Sequence, residues 1–131
     1  MSIDAALFSY LSASLSVGSR VYPMGKRPED GELPAVTYKL VSGPTTHYSH
    51  DGPSDYEVSY QVDAWALDPD DAADLAAEVQ HLLDGFRGDW DAYRVGSVFL
   101  SIVLDDHEPD TGLFRRMRQA TVHYSQPNGG S

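Results

Sequence analysis

The chain has 131 residues, which fits one domain and is long enough to fold around its own hydrophobic core. It contains no cysteine, so disulfides, thiolate metal sites and cysteine nucleophiles are excluded together. Nine basic residues against 20 acidic ones give a net charge of −11, and so acidic a surface repels DNA phosphates and anionic membranes. We therefore expect neither specific DNA binding nor membrane binding.

The first part of the chain predicts a helix followed by a loop. Apolar residues recur at helical spacing from Ile3 to Leu15, Ser2 can cap the free amides, and Gly18 ends the run. A short strand is allowed at Arg20-Val21-Tyr22. The stretch from Gly25 to Pro34 is rich in glycine, proline and charge, which is typical of a surface loop.

The middle of the chain predicts two strands joined by a projecting arm. Residues Ala35 to Ser42 and Tyr56 to Ala64 alternate between apolar and polar side chains, as half-buried strands do. Between them, Gly43 to Ser54 contains Pro44, Gly52 and Pro53 among polar residues. This composition indicates an exposed connection, which we interpret as a hairpin arm.

The last part of the chain predicts a helix and two more strands. Asp68-Pro69-Asp70-Asp71 has the cap, the proline and the acids of a helix start, and Gly85 closes that helix. A loop at Asp89–Gly96 is predicted next. Val98–Leu104 is apolar on both sides, which predicts a strand buried on one face by the core and on the other by a neighbour. A turn at Asp105–Gly112 and a strand at Phe114–Tyr124 follow.

This order of elements predicts an α+β fold. We expect an antiparallel or mixed sheet of about four to five strands, with two helices packed on one face. One domain would span residues 1–125, and residues 126–131 would form a flexible tail. The other sheet face, which carries Trp65, then suits contacts between subunits.

The strongest candidate for a metal site is His47-Tyr48-Ser49-His50-Asp51. Two imidazoles three residues apart beside a carboxylate resemble the beginning of a zinc site, and a small metal-dependent hydrolase would use His47, His50 and Asp51. The alternative is ordinary surface polarity, because these residues lie in a loop bounded by glycine and proline. We favour the alternative, and with it contacts from this arm to another protein.

A second acidic cluster, Asp105-Asp106-His107-Glu108, raises the question of a paired-carboxylate hydrolase. Such an enzyme needs two acids facing each other across a pocket. Neighbouring acids in a turn diverge into solvent instead, and the sequence has no nucleophile elbow, phosphate-binding glycine loop or zinc-protease helix motif. We therefore predict a protein that is not an enzyme, with no catalytic residue, cofactor or metal.

Three of the nine basic residues cluster at Arg115, Arg116 and Arg118. On a strand, Arg116 and Arg118 share one face while Arg115 points to the other. One interpretation is solvated charge that protects an edge strand from unwanted pairing. The other is docking against an acidic patch on a second copy, for which Asp68–Asp74 and the Glu57/Asp63 pair are candidates.

From Leu7 to Tyr124 the chain resembles the phage tail terminators, also called tail completion proteins, of long-tailed phages and gene transfer particles. The motifs that carry the resemblance are, after the first helix, Arg20-Val21-Tyr22-Pro23, Leu33-Pro34-Ala35-Val36-Thr37, Gln61-Val62-Asp63-Ala64-Trp65-Ala66, Asp71-Ala72-Ala73, Leu82-Leu83-Asp84-Gly85 and the Arg115–Tyr124 stretch. Their order and spacing over a single-domain length make the resemblance specific.

The resemblance implies a structural subunit of the virion that closes into a ring, typically a hexamer. Such a ring caps the head-proximal end of the tail tube, stops its polymerisation and joins the tail to the head, with DNA passing through its channel. The implied partners are other copies of the chain, the tube protein and a neck or head-completion protein. Assembly would take place in the host cytoplasm. A different neck subunit or a tube-like subunit is the structural alternative.

Residues for these contacts are nominated by their expected location. The predicted interface residues are His47, Tyr48, His50, Asp51, Asp63, Trp65, Arg115, Arg116 and Arg118, and the predicted channel-facing acids are Asp68, Asp70, Asp71 and Asp74. An acidic channel wall would let DNA pass without gripping it.

Overall fold

The computed structural model describes residues 2–23, 32–49 and 52–125, with the backbone alone at residues 19, 47–49 and 52–54. The elements are α1 (Ile3–Ser14), a 3-10 turn (Gly18–Arg20), β1 (Val21–Tyr22), β2 (Ala35–Ser49), β3 (Gly52–Ala66), α2 (Pro69–Leu83), β4 (Gly88–Trp90), β5 (Tyr93–Glu108) and β6 (Leu113–Ser125). The predicted tail at residues 126–131 and most of the predicted loop before β2 lie outside the described residues. No described helix has the length and apolar character that crossing a membrane requires.

The strands form one mixed sheet in the order β1-β2-β3-β6-β5-β4. β1 runs parallel to β2, and every other neighbouring pair is antiparallel. The α+β prediction is confirmed, but the described sheet has six strands instead of four to five. The prediction missed β4, which pairs with Tyr93–Val95 inside the segment assigned to a loop.

That error arose because a tight turn was taken for a long loop. Trp90 pairs with Tyr93, so only Asp91 and Ala92 separate the two strands. Asp91 has a φ of 52°, in the left-handed region that aspartate tolerates better than most residues. The sequence shows the polar turn residues but not that their neighbours pair.

Both helices pack on the same face of the sheet, around one core. That core includes Leu7 and Leu11 of α1, Leu75, Val79 and Leu83 of α2, Val58, Tyr60 and Val62 of β3, and Ala120 and Val122 of β6. The hydroxyl of Tyr10 donates to the carbonyl of Leu82 over 2.9 Å and joins the two helices, and the hydroxyl of Tyr60 donates to Asp4 and joins β3 to α1. The predicted placement of the helices is confirmed.

The helix starts are confirmed, and one helix end is not. The amide of Ala5 donates to Ser2 Oγ over 3.1 Å, and Asp68 Oδ1 accepts the amides of Asp70 and Asp71. α1 ends at Ser14, earlier than predicted, because Leu15 is already extended. α2 ends as predicted just before Gly85, whose φ of 77° suits glycine.

The segment predicted as an exposed connection is part of a long β-ribbon. β2 and β3 stay paired out to Ser49 and Gly52, so the arm is a hairpin, but its sides are strands. The register shifts between Leu40 and Ser42 and again between Ser42 and Thr45, the interval that contains Gly43 with its φ of 90°. A Cβ there would lie 2.6 Å from the carbonyl oxygen of Glu57, so the irregularity requires glycine. Polar composition hid the pairing.

Within the described chain the core covers only part of Val98–Leu104, and cover of the rest by a neighbour stays a prediction. Val98 is 3% exposed and Leu100 packs against the core, whereas Phe99 lies on the opposite sheet face. Phe99, Ile102, Val103 and Leu104 are between 49% and 69% exposed. β5 also continues to Glu108, so part of the predicted turn is strand and only residues 109–112 turn the chain.

Candidate assembly surfaces

The arm carries the first group of predicted site residues. In its backbone, His47 pairs with Asp55 and Tyr48 pairs with Pro53. The side chains of His47 and Tyr48, and all of His50 and Asp51, lie outside what the structure describes. Within residues 2–23, 32–49 and 52–125, no group of three or more His, Asp or Glu side chains could hold a metal ion. Contacts from this arm to a partner stay a prediction.

The second group lies on the sheet face that is opposite the helices, which we call the open face. Trp65 Nε1 donates to Thr37 Oγ1 over 2.9 Å, and the Arg115 guanidinium lies 5.2 Å from the centroid of the Trp65 ring. Arg115 also forms an ion pair with Asp106, with 3.6 Å between Nη2 and Oδ2. These contacts hold both large side chains against the sheet, where they present a fixed surface.

Asp63 is buried within this open face, with 3% of its surface exposed. Its Oδ2 accepts a hydrogen bond from Gln61 Nε2 over 2.8 Å, while Oδ1 has no partner among the described residues. Burial raises the pKa of Asp63, and the Gln61 hydrogen bond and the charges of Arg115 and Lys39 oppose that rise. A contact role for Asp63 stays a prediction, with little accessible surface to support it.

The three arginines are paired inside the chain. Arg116 Nη1 and Arg118 Nη1 each donate to a different oxygen of Asp105, both over 2.7 Å, on the face opposite Arg115. Burial would raise the pKa of Asp105, but the hydrogen bonds and charges of Arg118 and Arg116 outweigh it and lower that pKa. Since β6 lies between β3 and β5, the interpretation that the arginines protect an edge strand is wrong.

These ion pairs also correct the prediction for the acidic cluster. Asp105 and Asp106 do not diverge in a turn; they lie on β5 directly opposite Arg116 and Arg115. A signal for this was present in the sequence, because each acid and its arginine are equally distant from the Pro109–Gly112 turn. In an antiparallel hairpin, that symmetry places opposite charges side by side.

The four acids at the start of α2 have a local structural role. Asp68 caps the helix, and Asp70 and Asp71 stand in its first turn, where the helix dipole favours negative charge. Asp74 follows on the exposed side of the helix. That these acids face a channel stays a prediction.

A further surface extends beyond what the sequence analysis assigned to a strand covered by a neighbour. We call residues Ser101–Glu108 the outer β5 edge. It contains the exposed Ile102, Val103 and Leu104, and β4 pairs with β5 only at Tyr93–Val95. Exposed apolar side chains on a strand with a free side mark an interaction surface. The alternation of the sequence could not show this, since it reports apolar character and not what covers it.

An open depression of about 410 Å³ lies beside the arm. It is lined by Asp55, Arg94, Gly96, Ser97, His123, Tyr124 and Ser125. His123 Nε2 lies 2.8 Å from Glu57 Oε1, and His123 Nδ1 lies 3.2 Å from Ser97 Oγ. The described groups thus form a cross-strand network on the open face, which stabilises the base of the arm.

Comparison with models of known protein families identifies the family of this chain. The family model described as "Tail completion protein gp17" matches residues 5–125, almost the whole domain. The chain belongs to the tail completion protein gp17 family. Membership confirms the resemblance drawn from the sequence and identifies a structural protein of a phage-type tail.

A solved structure supports the fold of this tail completion protein. One chain of the structure titled "Virion of native gene transfer agent (GTA) particle" is 18% identical in sequence and superimposes with a TM-score of 0.63. The match covers 95% of this chain and 94% of that one, so the two share a whole fold and not a fragment. No curated protein matches the sequence.

Proposed function

We propose that this tail completion protein is a tail terminator that acts as a ring, hexameric by the family resemblance. The ring caps the head-proximal end of the tail tube, stops its polymerisation and provides the surface to which the head joins. The observation that carries the proposal is the match of the tail completion family over residues 5–125.

The arrangement of surfaces supports a ring. A closed ring of identical subunits needs two different contact surfaces on each subunit, joined head to tail. The open face with Trp65, the outer β5 edge and the projecting arm are surfaces of different shape and chemistry on one small domain. The intersubunit roles of Arg115, Arg116 and Arg118 remain part of the proposal, with their charges partly neutralised by β5.

The charge of the chain supports passage of DNA without specific binding. A protein that neutralises DNA phosphates with lysine and arginine gains affinity by releasing counterions. Because each subunit has a net charge of −11, a ring of these subunits gains little affinity for DNA from counterion release. We place Asp68, Asp70, Asp71 and Asp74 as candidates for the channel wall, since these side chains are exposed.

The proposal implies a location and a set of partners. The protein resides in the virion, which the shared fold with a chain of a gene transfer agent virion supports, and the proposal adds assembly in the host cytoplasm. Its partners are other copies of itself, the tail tube protein and a neck or head-completion protein. It acts by geometry and not by catalysis, as its structural family suggests.

Electron microscopy of particles assembled without this protein tests the proposal. Loss of a terminator leaves the tube free to grow, so we expect overlong tails without heads. Tails of normal length beside heads that lose DNA would contradict the proposal and favour a head-completion subunit.

Complementation with a variant lacking Thr46–Pro53 then tests the arm. We expect this variant to keep the thermal stability of the domain and to fail in capping, whereas Ser9→Ala, an exposed change on α1, restores normal tails. Normal, fixed tail lengths with the shortened arm would show that the arm makes no essential contact.

A further inference from the structure

β2 and β5 are long strands that stand next to the short strands β1 and β4 at the two ends of the sheet. In the described chain, part of the side of β2 that faces β1, and part of the side of β5 that faces β4, has no paired strand. β1 pairs with β2 only at Val36 and Thr37, so among residues 2–23, 32–49 and 52–125 no strand pairs with this side of β2 from Tyr38 onward. At the opposite side of the sheet, β4 pairs with β5 only at Tyr93–Val95. Unpaired N–H and C=O groups along a strand are a template for pairing with another chain.

The fold protects one portion of the free side of β5 and leaves the rest open. The amide of Gly85 donates to the carbonyl of Val98 over 2.9 Å, and the amide of Leu100 donates to Asp84 Oδ1 over 3.0 Å. The end of α2 therefore occupies the strand edge at Val98–Leu100. The outer β5 edge, Ser101–Glu108, begins where this protection stops.

Both free stretches expose apolar side chains. On β2, Leu40 is 46% and Val41 is 50% exposed. On the outer β5 edge, Ile102, Val103 and Leu104 are 69%, 50% and 49% exposed. Exposed apolar side chains beside unpaired backbone groups favour pairing with another strand.

The charges on the two edges are complementary. β2 contains Lys39 and no acidic residue, in a chain with 20 acids. The outer β5 edge contains Asp105, Asp106 and Glu108 and no lysine or arginine, but arginines of β6 already neutralise Asp105 and Asp106, so the remaining negative charge is that of Glu108. Pairing β2 with β2 would bring two lysines together without a compensating acid, whereas pairing β2 with β5 does not, which favours the head-to-tail arrangement.

Strand direction also suits this pairing. β2, β3, β6 and β5 are successively antiparallel, so β2 and β5 run in opposite directions at the two sides of one sheet. Within one subunit the outer β5 edge is level with the β1-paired end of β2, as the row Asp105–Arg116–Ala64–Val36 shows. A second subunit must therefore be rotated about an axis tilted from the strand direction. This tilt places its β2 antiparallel to β5 of the first and staggers the two strands, so that the free stretch of β2 meets the outer β5 edge. The sheet would continue from subunit to subunit, as in a closed barrel that has no free edges.

We infer that the outer β5 edge binds the free stretch of β2 of a second copy of this chain by antiparallel strand addition. Leu40 and Val41 of one subunit pack against Ile102, Val103 and Leu104 of the next, and Lys39 approaches the acids of β5. This inference rests on the proposed ring and assigns the interface that closes it.

Cross-linking tests the interface directly, because the chain has no cysteine of its own. We would combine Val41→Cys with Val103→Cys, treat the protein with a short bis-maleimide, alone and with purified tail tubes, and separate the products under denaturing conditions. The expected product is a ladder of covalent oligomers that ends at the ring. Each single variant, and the pair of Ala77→Cys on the exposed side of α2 with Val103→Cys, should give none.

The other outcomes separate the interface from the proposed function. If Val103→Cys alone yields covalent dimers, β5 pairs with β5 and the inference is wrong. If light scattering shows an oligomer but the double variant gives no ladder, the ring stands and this interface is wrong. If the native chain stays monomeric both alone and on tubes, the ring and the interface are both contradicted.

A substitution gives an independent measure of the same contact. Val103→Lys places a charge in the apolar centre of the interface, so we expect self-association to weaken at least about tenfold. Leu67→Lys, at a residue that is 64% exposed and outside both edges, is the matched control and should leave self-association unchanged. Equal association of the two variants would overturn the inference.

Discussion

The two faces of the sheet differ in what holds them together. The helix-covered face is apolar and closely packed: Leu11, Leu83, Val95 and Val122 have no measurable exposure. The open face is stabilised by polar contacts, such as Trp65 with Thr37 and Arg115 with Asp106. The first face stabilises the fold, whereas the second keeps polar side chains in fixed positions on the surface. A subunit that works by assembly needs both.

The largest expected effect comes from disrupting the helix-covered face. Leu11→Ala removes a fully buried side chain between α1 and the sheet, and it should lower the free energy of unfolding by about 3 kcal/mol. Ser9→Ala, at an exposed position of the same helix, should change it by less than about 0.5 kcal/mol. Urea unfolding followed by circular dichroism measures both, and similar losses would mean that α1 does not pack as described.

A smaller effect is expected from the ion pairs at the outer end of the sheet. Asp105→Asn removes the charge shared by Arg116 and Arg118, of which Arg118 is only 6% exposed. We expect a loss of about 1–2 kcal/mol, limited by the partial exposure of Asp105. Asp110→Asn, in the exposed turn, should be neutral, and a loss as large as that of Asp105→Asn would point to general charge effects.

Measuring the free energy of unfolding of the native protein and of Asp105→Asn as a function of pH tests whether the ionised carboxylate causes this loss. The pKa of Asp105 is lowered in the fold, so its contribution is complete above its ordinary value of 3.8 and is lost as pH falls through the folded value. The difference in stability between the two proteins should therefore shrink below about pH 4. A difference that stays constant in acid would exclude the ionised carboxylate as its cause.

The smallest effect is expected in the middle of the open face. The pKa of Asp63 is raised, so its ionised form destabilises the fold at neutral pH, and this cost disappears as pH falls through the folded value. Asp63→Asn should raise the melting temperature slightly at pH 7, and the gain should vanish in acid. The exposed Asp55→Asn serves as control, and a melting temperature lowered by Asp63→Asn would mean that the carboxylate is stabilising.

The elements that the sequence predicted well are those whose signals are local. The cap and proline at Asp68-Pro69 define the start of α2, and the alternation from Tyr56 to Ala64 defines β3, because hydrogen bonding and side-chain direction there depend on near neighbours. The segments predicted wrongly depend on distant pairing. The arm contains the turn-forming residues Gly43 and Pro44, yet it is held in a ribbon by β3.

In the candidate assembly surfaces, too, features with local signals were predicted and features that depend on distant pairing were not. The strand alternation of Arg115, Arg116 and Arg118 was predicted, but their partners on β5 were not, since a register is needed to place Asp105 beside Arg116. The apolar run in β5 predicted a buried strand. Burial depends on what covers each face of the sheet: Phe99 and Leu104 lie on the open face, and Ile102, on the helix side, lies beyond the core.

Composition and local patterning alone determined that this is a cysteine-free, strongly acidic α+β domain with two helices against a sheet, and its motifs placed it among tail completion proteins. Only the tertiary structure decided which strands are paired, which arginines are neutralised and which apolar residues remain uncovered. The physical reason is that helix caps and strand faces arise from residues close in the chain, whereas ion pairs and covered edges arise between segments that only folding brings together.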